Sequence, residues 1–298
     1  YSPLPSPFNT YKDLEIAWTY QTSQQSWSYE GEGSPASGAA TYSFYDTASQ
    51  GNAQYGNLTH QVESFWDDAS HAFSDYRIAW SRFYPNPTGN LVGLPGYTNQ
   101  YGCPGGSTNG GCRNTFSSDN SNLLASHIYI YDNHGVNYST LPTEGKLTNE
   151  RTLLRFDGAN PKYADSAYHY DTWGNRDTVT VYTGEGTSAA FASSGAQTTT
   201  YCYGLYSGTT CTADSYHTYL GWERNPLGHY TRYQYDYDFG LPRWMQAPNL
   251  AITEADFDNF GRLYKLVKPG DTLSDPTLMV EYDFDTISYW VKKTQKLT

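Results

Sequence analysis

"ADFDNFGRLYKLVKPGD", residues 255–271, is the stretch on which the reading of the whole chain turns. An aromatic residue and an aspartate, Phe257-Asp258, are followed after a short gap by Gly261-Arg262 and then by a strand-like run. The chain writes similar phrases upstream: "YIYDNHGVN" (129–137), "YHYDTWGNRDTVTVY" (168–182) and "YQYDYDFGLPRW" (233–244). Pairs such as Tyr168 and Tyr170, or Tyr233 and Tyr235, put rings on one face of an extended strand, because strand side chains alternate with period two. The Asp and Gly that follow (Asp132 and Gly135, Asp171 and Gly174, Asp258 and Gly261) suit a tight turn: Asp bonds nearby backbone amides and Gly tolerates positive φ. "DTVTVYTG" (177–184) and "RLYKLVKPG" (262–270) then read as return strands. The repeated unit is a β-hairpin, and the expected fold class is all-β.

Composition narrows the rest. The 298 residues suffice for a substantial core, and 30 Tyr, 8 Trp and 12 Phe make that core one of rings rather than leucines. Lys and Arg number 18 against 30 acids, a net charge of −12, which argues against nucleic acid and anionic membranes as partners, since both are bound through clustered positive charge. No window approaches the roughly 20 apolar residues of a membrane-spanning helix. The opening "YSPLPSPFNT", without Met, reads as an extended lead-in, and the final "VKKTQKLT" stops within strand-like sequence, so a piece of something longer is expected. Residues 1–40 are expected to be N-terminal strands and lead-in, with a strand pair over 13–33 and a flexible connection or tip over 31–40. In "HQVESFWDDASHAF" (60–73), Val62, Phe65, Trp66, Ala69 and Phe73 fall near helical spacing and predict one helix. No clear linker divides the chain into two domains.

The four cysteines form two strings of equal length, Cys103 to Cys112 and Cys202 to Cys211, each enclosing Gly, Ser and Thr. Four cysteines allow three connectivities, of which two local staples is the simplest. Neither pair has the two-to-four-residue gap of a zinc knuckle. Disulfides imply an oxidising compartment, so the chain is expected to be extracellular or on a cell surface.

The repeated phrase resembles the YD repeats of the RHS family, the group that includes bacterial RHS proteins, the B and C components of Tc insecticidal toxins, and animal teneurins. The matches are Tyr45-Asp46 with Gly56-Asn57, Tyr170-Asp171 with Gly174-Asn175-Arg176, and Phe257-Asp258 with Gly261-Arg262. Looser copies stand at Tyr131-Asp132, Tyr235-Asp236 and Tyr282-Asp283, and "NPLGHYTRYQYD" (225–236) is of the same kind. The resemblance covers residues 41–298. It implies a ribbon of β-hairpins forming part of a spiral shell or solenoid. Uneven spacing between the copies leaves two Gly-rich stretches, near 84–122 and 184–215, that read as disulfide-stapled insertions on this scaffold. Unpaired hairpin edges make a homo-oligomer, or the remainder of a larger RHS chain, the expected partner.

Catalysis is not expected. Family members that release a C-terminal segment by self-cleavage carry a signature that the nearest strings, "DFGLPRW" and "NPLGHY", do not reproduce, so no protease residues carry over. No HExxH, GxSxG or phosphate-loop string appears, and no cofactor is implied. Aromatic-flanked acids in "WDD" (66–68) and "TEADFD" (253–258) have the residue types of a glycosidase pair, but sequence supplies no separation between them, and turns and solvated faces are the expected roles. The expected function is a structural shell or self-assembling surface component. The alternative is an adhesin or carbohydrate-binding module using Trp18, Trp27, Trp66, Trp80 or Trp222 against sugar rings. "DNHGVN" and "DTWGNRD" are weak calcium candidates, lacking the spacing of an EF-hand loop. Asn57 and Asn137 head N-glycosylation acceptor patterns.

Overall fold

The computed structural model describes residues 21–28, 37–46, 55–108, 122–207, 210–212, 217–284 and 289–296. The chain divides into two compact units, residues 1–165 with 184–194, and residues 166–183 with 195–298. Both are built of antiparallel strands, and the fold is all-β.

The first unit contains β1 (Ser23–Ser28), β2 (Ser37–Tyr45), β3 (Leu58–Asp67), β4 (Ala72–Phe83), β5 (Pro95–Thr108), β6 (Leu123–Tyr131) and β7 (Leu147–Asp157). From β1 to β7, each strand pairs antiparallel with the next. The following strand, β8 (Asn160–Tyr170), is shared: its first half pairs with the short β10 (Gly186–Thr187) in this unit. Two ring-rich clusters hold the ladder, Val62, Ile78 and Tyr101 packed by Phe44 and Trp80, and Ile128, Ile130 and Tyr163 packed by Tyr97 and Phe191.

In the second unit the other half of β8 pairs with β9 (Arg176–Tyr182), and β9 pairs with β11 (Ala196–Tyr203). Then follow β12 (Leu205–Ser207) and β13 (Thr210–Thr212), a small separate pair, and β14 (Leu220–Arg224), which adds to β11. A meander completes it: β15 (Tyr230–Asp236), β16 (Leu241–Gln246), β17 (Ile252–Phe257), β18 (Leu263–Val267), β19 (Leu278–Phe284) and β20 (Tyr289–Gln295).

One expectation changes. The helix over 60–73 is instead the hairpin β3–β4, closed by Asp67, whose carboxylate accepts from Ala69 N and Ser70 Oγ. The inward face of β3 carries Val62 and the polar Ser64, both essentially buried, while Phe65 is 45% exposed. Ser64 is satisfied by donating to buried Asp75 at 2.7 Å, so a serine occupies a core position and conceals the period of two. The stretches 84–122 and 184–215 also contain ladder strands: β5 pairs with both β4 and β6, and β11 with both β9 and β14. Of the expected strand pair over 13–33, β1 is present and pairs with β2; residues 1–20 and 29–36 lie outside the described residues.

Candidate functional site

Four of the six motif aspartates, Asp46, Asp132, Asp171 and Asp258, occupy one structural position. Between Asp171 and Asn175 the chain makes a three-residue loop: Asp171 N donates to Asn175 O at 2.8 Å and Gly174 N to Asp171 O at 3.2 Å. The same two bonds join Asp258 with Arg262 and Gly261, and Asn225 with His229 and Gly228. Gly174, Gly228 and Gly261 stand at φ +89°, +84° and +74°, the left-handed residue that closes such a loop. The side chain caps it, with Asp171 Oδ1 accepting from Trp173 N (2.9 Å) and Asn175 N (2.8 Å), and Asp258 Oδ1 from Phe260 N (2.9 Å) and Arg262 N (3.0 Å). Asn225 Oδ1 does the same with Leu227 N and His229 N.

Two copies place more residues between the closing partners and keep the closure. Asp46 N donates to Asn57 O, and Asp46 accepts from the backbone of Tyr55, Gly56 and Asn57. Asp132 N donates to Lys146 O, and its carboxylate gathers the amides of Thr143, Glu144, Gly145 and Lys146. Asp236 caps a different turn through Asp238 N and Phe239 N, whereas Asp283 lies within β19 opposite Trp290. A register irregularity falls at the aromatic residue before the aspartate in five copies: Phe44/Tyr45, Ile130/Tyr131, His169/Tyr170, Gln234/Tyr235 and Asp256/Phe257. Aromatic-aspartate is thus the written form of a bulge and a capped turn.

The electrostatics follow. Burial pushes the Asp132 carboxyl up, but four backbone donors outweigh it and hold it below the usual carboxylate range. At Asp171 burial likewise opposes, and bonds from Asn175, Trp173 and Gly174 win. At Asp258 the Arg262 side chain lowers the value first, with the Arg262 and Phe260 amides adding. Burial, with smaller contributions from Tyr129 and Glu150, pushes the Tyr131 hydroxyl up to about 12.

These bonds decide several candidates. Both calcium strings have their leading aspartates turned onto amide donors rather than onto a shared oxygen cage. Asn57 Nδ2 donates to Asp46 and to Val92 O, so glycosylation there would break two bonds of the fold; Asn137 is exposed, its Oδ1 accepting from Ser139. In the "WDD" string Asp67 closes the β3–β4 turn and Asp68 accepts from Trp66 Nε1. In the other acidic string Asp256 pairs with Arg243 at 3.7 Å and Asp258 caps its turn. Cys202 and Cys211 are joined, with Cys202 buried; Cys112 lies outside the described residues. Of the tryptophans, Trp27 and Trp66 pack on each other and on Phe73, Trp80 stacks on His60, and Trp222 is 5% exposed; Trp18 is outside the described residues.

Two arrangements escaped the sequence reading. In the first unit Arg151 and Asp165, both fully buried, form an ion pair at 2.7 Å. Arg151 Nη2 also donates to Thr187 O and Ala190 O, Asp165 Oδ2 accepts from Ala192 N, and the guanidinium lies 4.5 Å from the Tyr163 ring centroid and 5.0 Å from that of Phe191. The 184–194 segment is thereby tied to β7 and β8. In the second unit a cleft of about 360 Å³ is lined by residues that include Trp173, Asp177, Thr178, His217 and Trp222. Trp173, in the capped turn after Asp171, is 66% exposed and stacks on His217 at 4.3 Å.

No protein-family model matches the sequence, and no curated protein matches it. Solved structures do. The fold is similar to a stretch of the chain in the crystal structure of TcdB2-TccC3-Cdc42, with a TM-score of 0.53 and 12% identity over 84% of this chain. It is equally similar to TcdB2-TccC3 without its hypervariable C-terminal region, with a TM-score of 0.52 and 12% identity over 84% of this chain. Both are Tc toxin complex chains. This chain spans 16% of the length of each, and at that identity the likeness is one of fold.

Proposed function

We propose that this chain is a non-catalytic structural segment of an extracellular RHS/YD-repeat protein, a length of hairpin ribbon that serves as shell wall or self-assembling surface scaffold. The observation that carries the proposal is the recurrence of one bulge-and-capped-turn device at Tyr45-Asp46, Tyr131-Asp132, Tyr170-Asp171 and Phe257-Asp258. The likeness to Tc toxin complex chains supports the same reading, and a larger assembly is consistent with it. The carboxylates of these turns are spent on backbone donors, which is structural work. The disulfide at buried Cys202 supports an oxidising, extracellular compartment.

Assembly follows from the edges. Among the described residues β20 pairs only with β19, and all seven of its residues are exposed, Trp290 and Val291 among them. A strand of that kind is a template for another strand. Negative-stain electron microscopy and sedimentation of the chain are expected to show ordered association that Val291→Lys weakens. A chain that stays monomeric at every concentration and whose β20 amides exchange as slowly as those of a doubly paired strand would overturn the proposal.

A further inference from the structure

We propose that the cleft at Trp173 is a binding site for a neutral pyranose sugar of a glycan chain. This goes beyond the scaffold reading and does not depend on it. The site is built by the repeat turn itself. Asp171 Oδ1 fixes the Trp173 amide, Asn175 Nδ2 bridges Asp171 Oδ2 (3.2 Å) and His217 O (2.7 Å), and His217 stacks on Trp173 with 16° between the planes. One face of the indole is covered by the imidazole, yet the side chain remains 66% exposed, so its other face and edge look outward. His217 is held at φ 47°, a left-handed backbone unusual for a residue with a Cβ and often found where structure serves a site.

A rigid, one-sided aromatic plate is what the apolar face of a pyranose ring stacks on. The polar partners a sugar needs stand in the same cleft. Asp177 is 31% exposed, and both bonds it accepts, from His169 and Thr178, fall on Oδ1. Its Oδ2 is therefore placed to accept from hydroxyls. Trp222, 5% exposed, forms part of the apolar wall of the cleft. Carboxylates at Asp171 and Asp177 in a chain of net charge −12 repel acidic sugars, which sets the preference for neutral ones. The volume, about 360 Å³, lies at the small end of ligand clefts and suits a ring or two rather than a peptide. By the alternation of an antiparallel meander, the turns that carry exposed Tyr237, Phe239 and Phe260 lie at the same end of this unit's ladder, where a longer glycan finds further rings.

The test is an array of neutral, sialylated and sulfated oligosaccharides probed with the whole chain, followed by titration of the strongest neutral glycan. Wild type is expected to retain a neutral hexose or N-acetylhexosamine glycan, Trp173→Ala to weaken it about tenfold or more, and Trp173→Tyr to keep most of the affinity. Asp177→Asn, a second variant away from the turn, is expected to weaken the same glycan, with circular dichroism melts reporting that each variant is folded. Retention of acidic glycans only, no retention of any neutral glycan by folded wild type, or equal affinity in folded Trp173→Ala would each overturn the assignment. So would a change in sedimentation on Trp173→Ala without glycan binding, which would make the patch a protein interface.

Discussion

Replacing Asp165 by Asn tests whether the 184–194 segment is held by charge. The two side chains have the same shape, but Asp165 Oδ2 accepts from both Arg151 Nη2 (3.1 Å) and Ala192 N (2.7 Å), and Oδ1 accepts from Arg151 Nε. An amide can turn only one oxygen towards these donors, so its NH₂ group faces Arg151 Nε in one orientation, and both Arg151 Nη2 and the Ala192 amide in the other. Arg151, 2% exposed, is then a buried cation without its counter-ion, and breaking a buried pair this way costs about 3–5 kcal/mol. The double variant Asp165→Leu with Arg151→Met removes both charges and is expected to recover part of that loss. Full recovery is excluded, because Thr187 O, Ala190 O and Ala192 N each lose a partner at about 1 kcal/mol. Urea unfolding gives the stability change, and amide exchange at 186–192 reports the segment directly, with faster exchange expected in both variants. An Asp165→Asn cost below about 1 kcal/mol, or unchanged exchange there, would refute the account.

The repeat turn supplies two further tests. Residues 247–251 make the same loop, with Ala247 N donating to Ala251 O and Leu250 N to Ala247 O, but Leu250 holds the glycine position at φ +67°. A side chain there costs about 1–2 kcal/mol, Gly loses roughly 0.5–1 in unfolded-state entropy, and Leu250 is 67% exposed, so Leu250→Gly is expected to stabilise by about 0.5–1 kcal/mol; a fall in the melting temperature would contradict this. The Asp132 cap acts through pH. Its folded pKa lies below the ordinary value of about 3.9, so its stabilisation is complete above that value and is lost as pH falls through the lower folded one. The difference in urea midpoint between wild type and Asp132→Ala is therefore expected to be constant near neutrality and to shrink in acid, whereas a gap that widens on acidification would rule the cap out.

What the sequence made legible was the local chemistry. Tyr170-Asp171 followed by Gly174 could be read as strand, turn and return because each step is written in adjacent residues, and the capped loops of the structure occupy those positions. Whatever rests on distant partners stayed hidden. Ser64 reads as a break in an apolar pattern until Asp75 is seen opposite it, and that break made β3 look helical. Arg151 and Asp165 lie fourteen residues apart and their loop partners up to thirty-nine, so no spacing rule joins them. Leu250 shows the converse, a repeat turn that survives without its aspartate or its glycine.

Trp173 shows what ring content alone does not reveal. Sequence offers ring content, and a ring in a strand is as available to a core as to a ligand; Trp222 is buried, Trp80 stacks on His60, and Trp27 and Trp66 pack on each other with Trp27 still 37% exposed. Trp173 sits instead in the middle of a three-residue loop, the position that Leu227 and Phe260 fill in the sister turns at 80% and 78% exposure. A turn centre cannot reach the core of its own hairpin, so apolar residues placed there are exposed by geometry. Of the three, only the loop holding Trp173 adds the Asn175 amide and the stacked His217 that turn an exposed ring into an oriented one. The repeat therefore supplies the platform, and one copy of it carries the additions that a site requires.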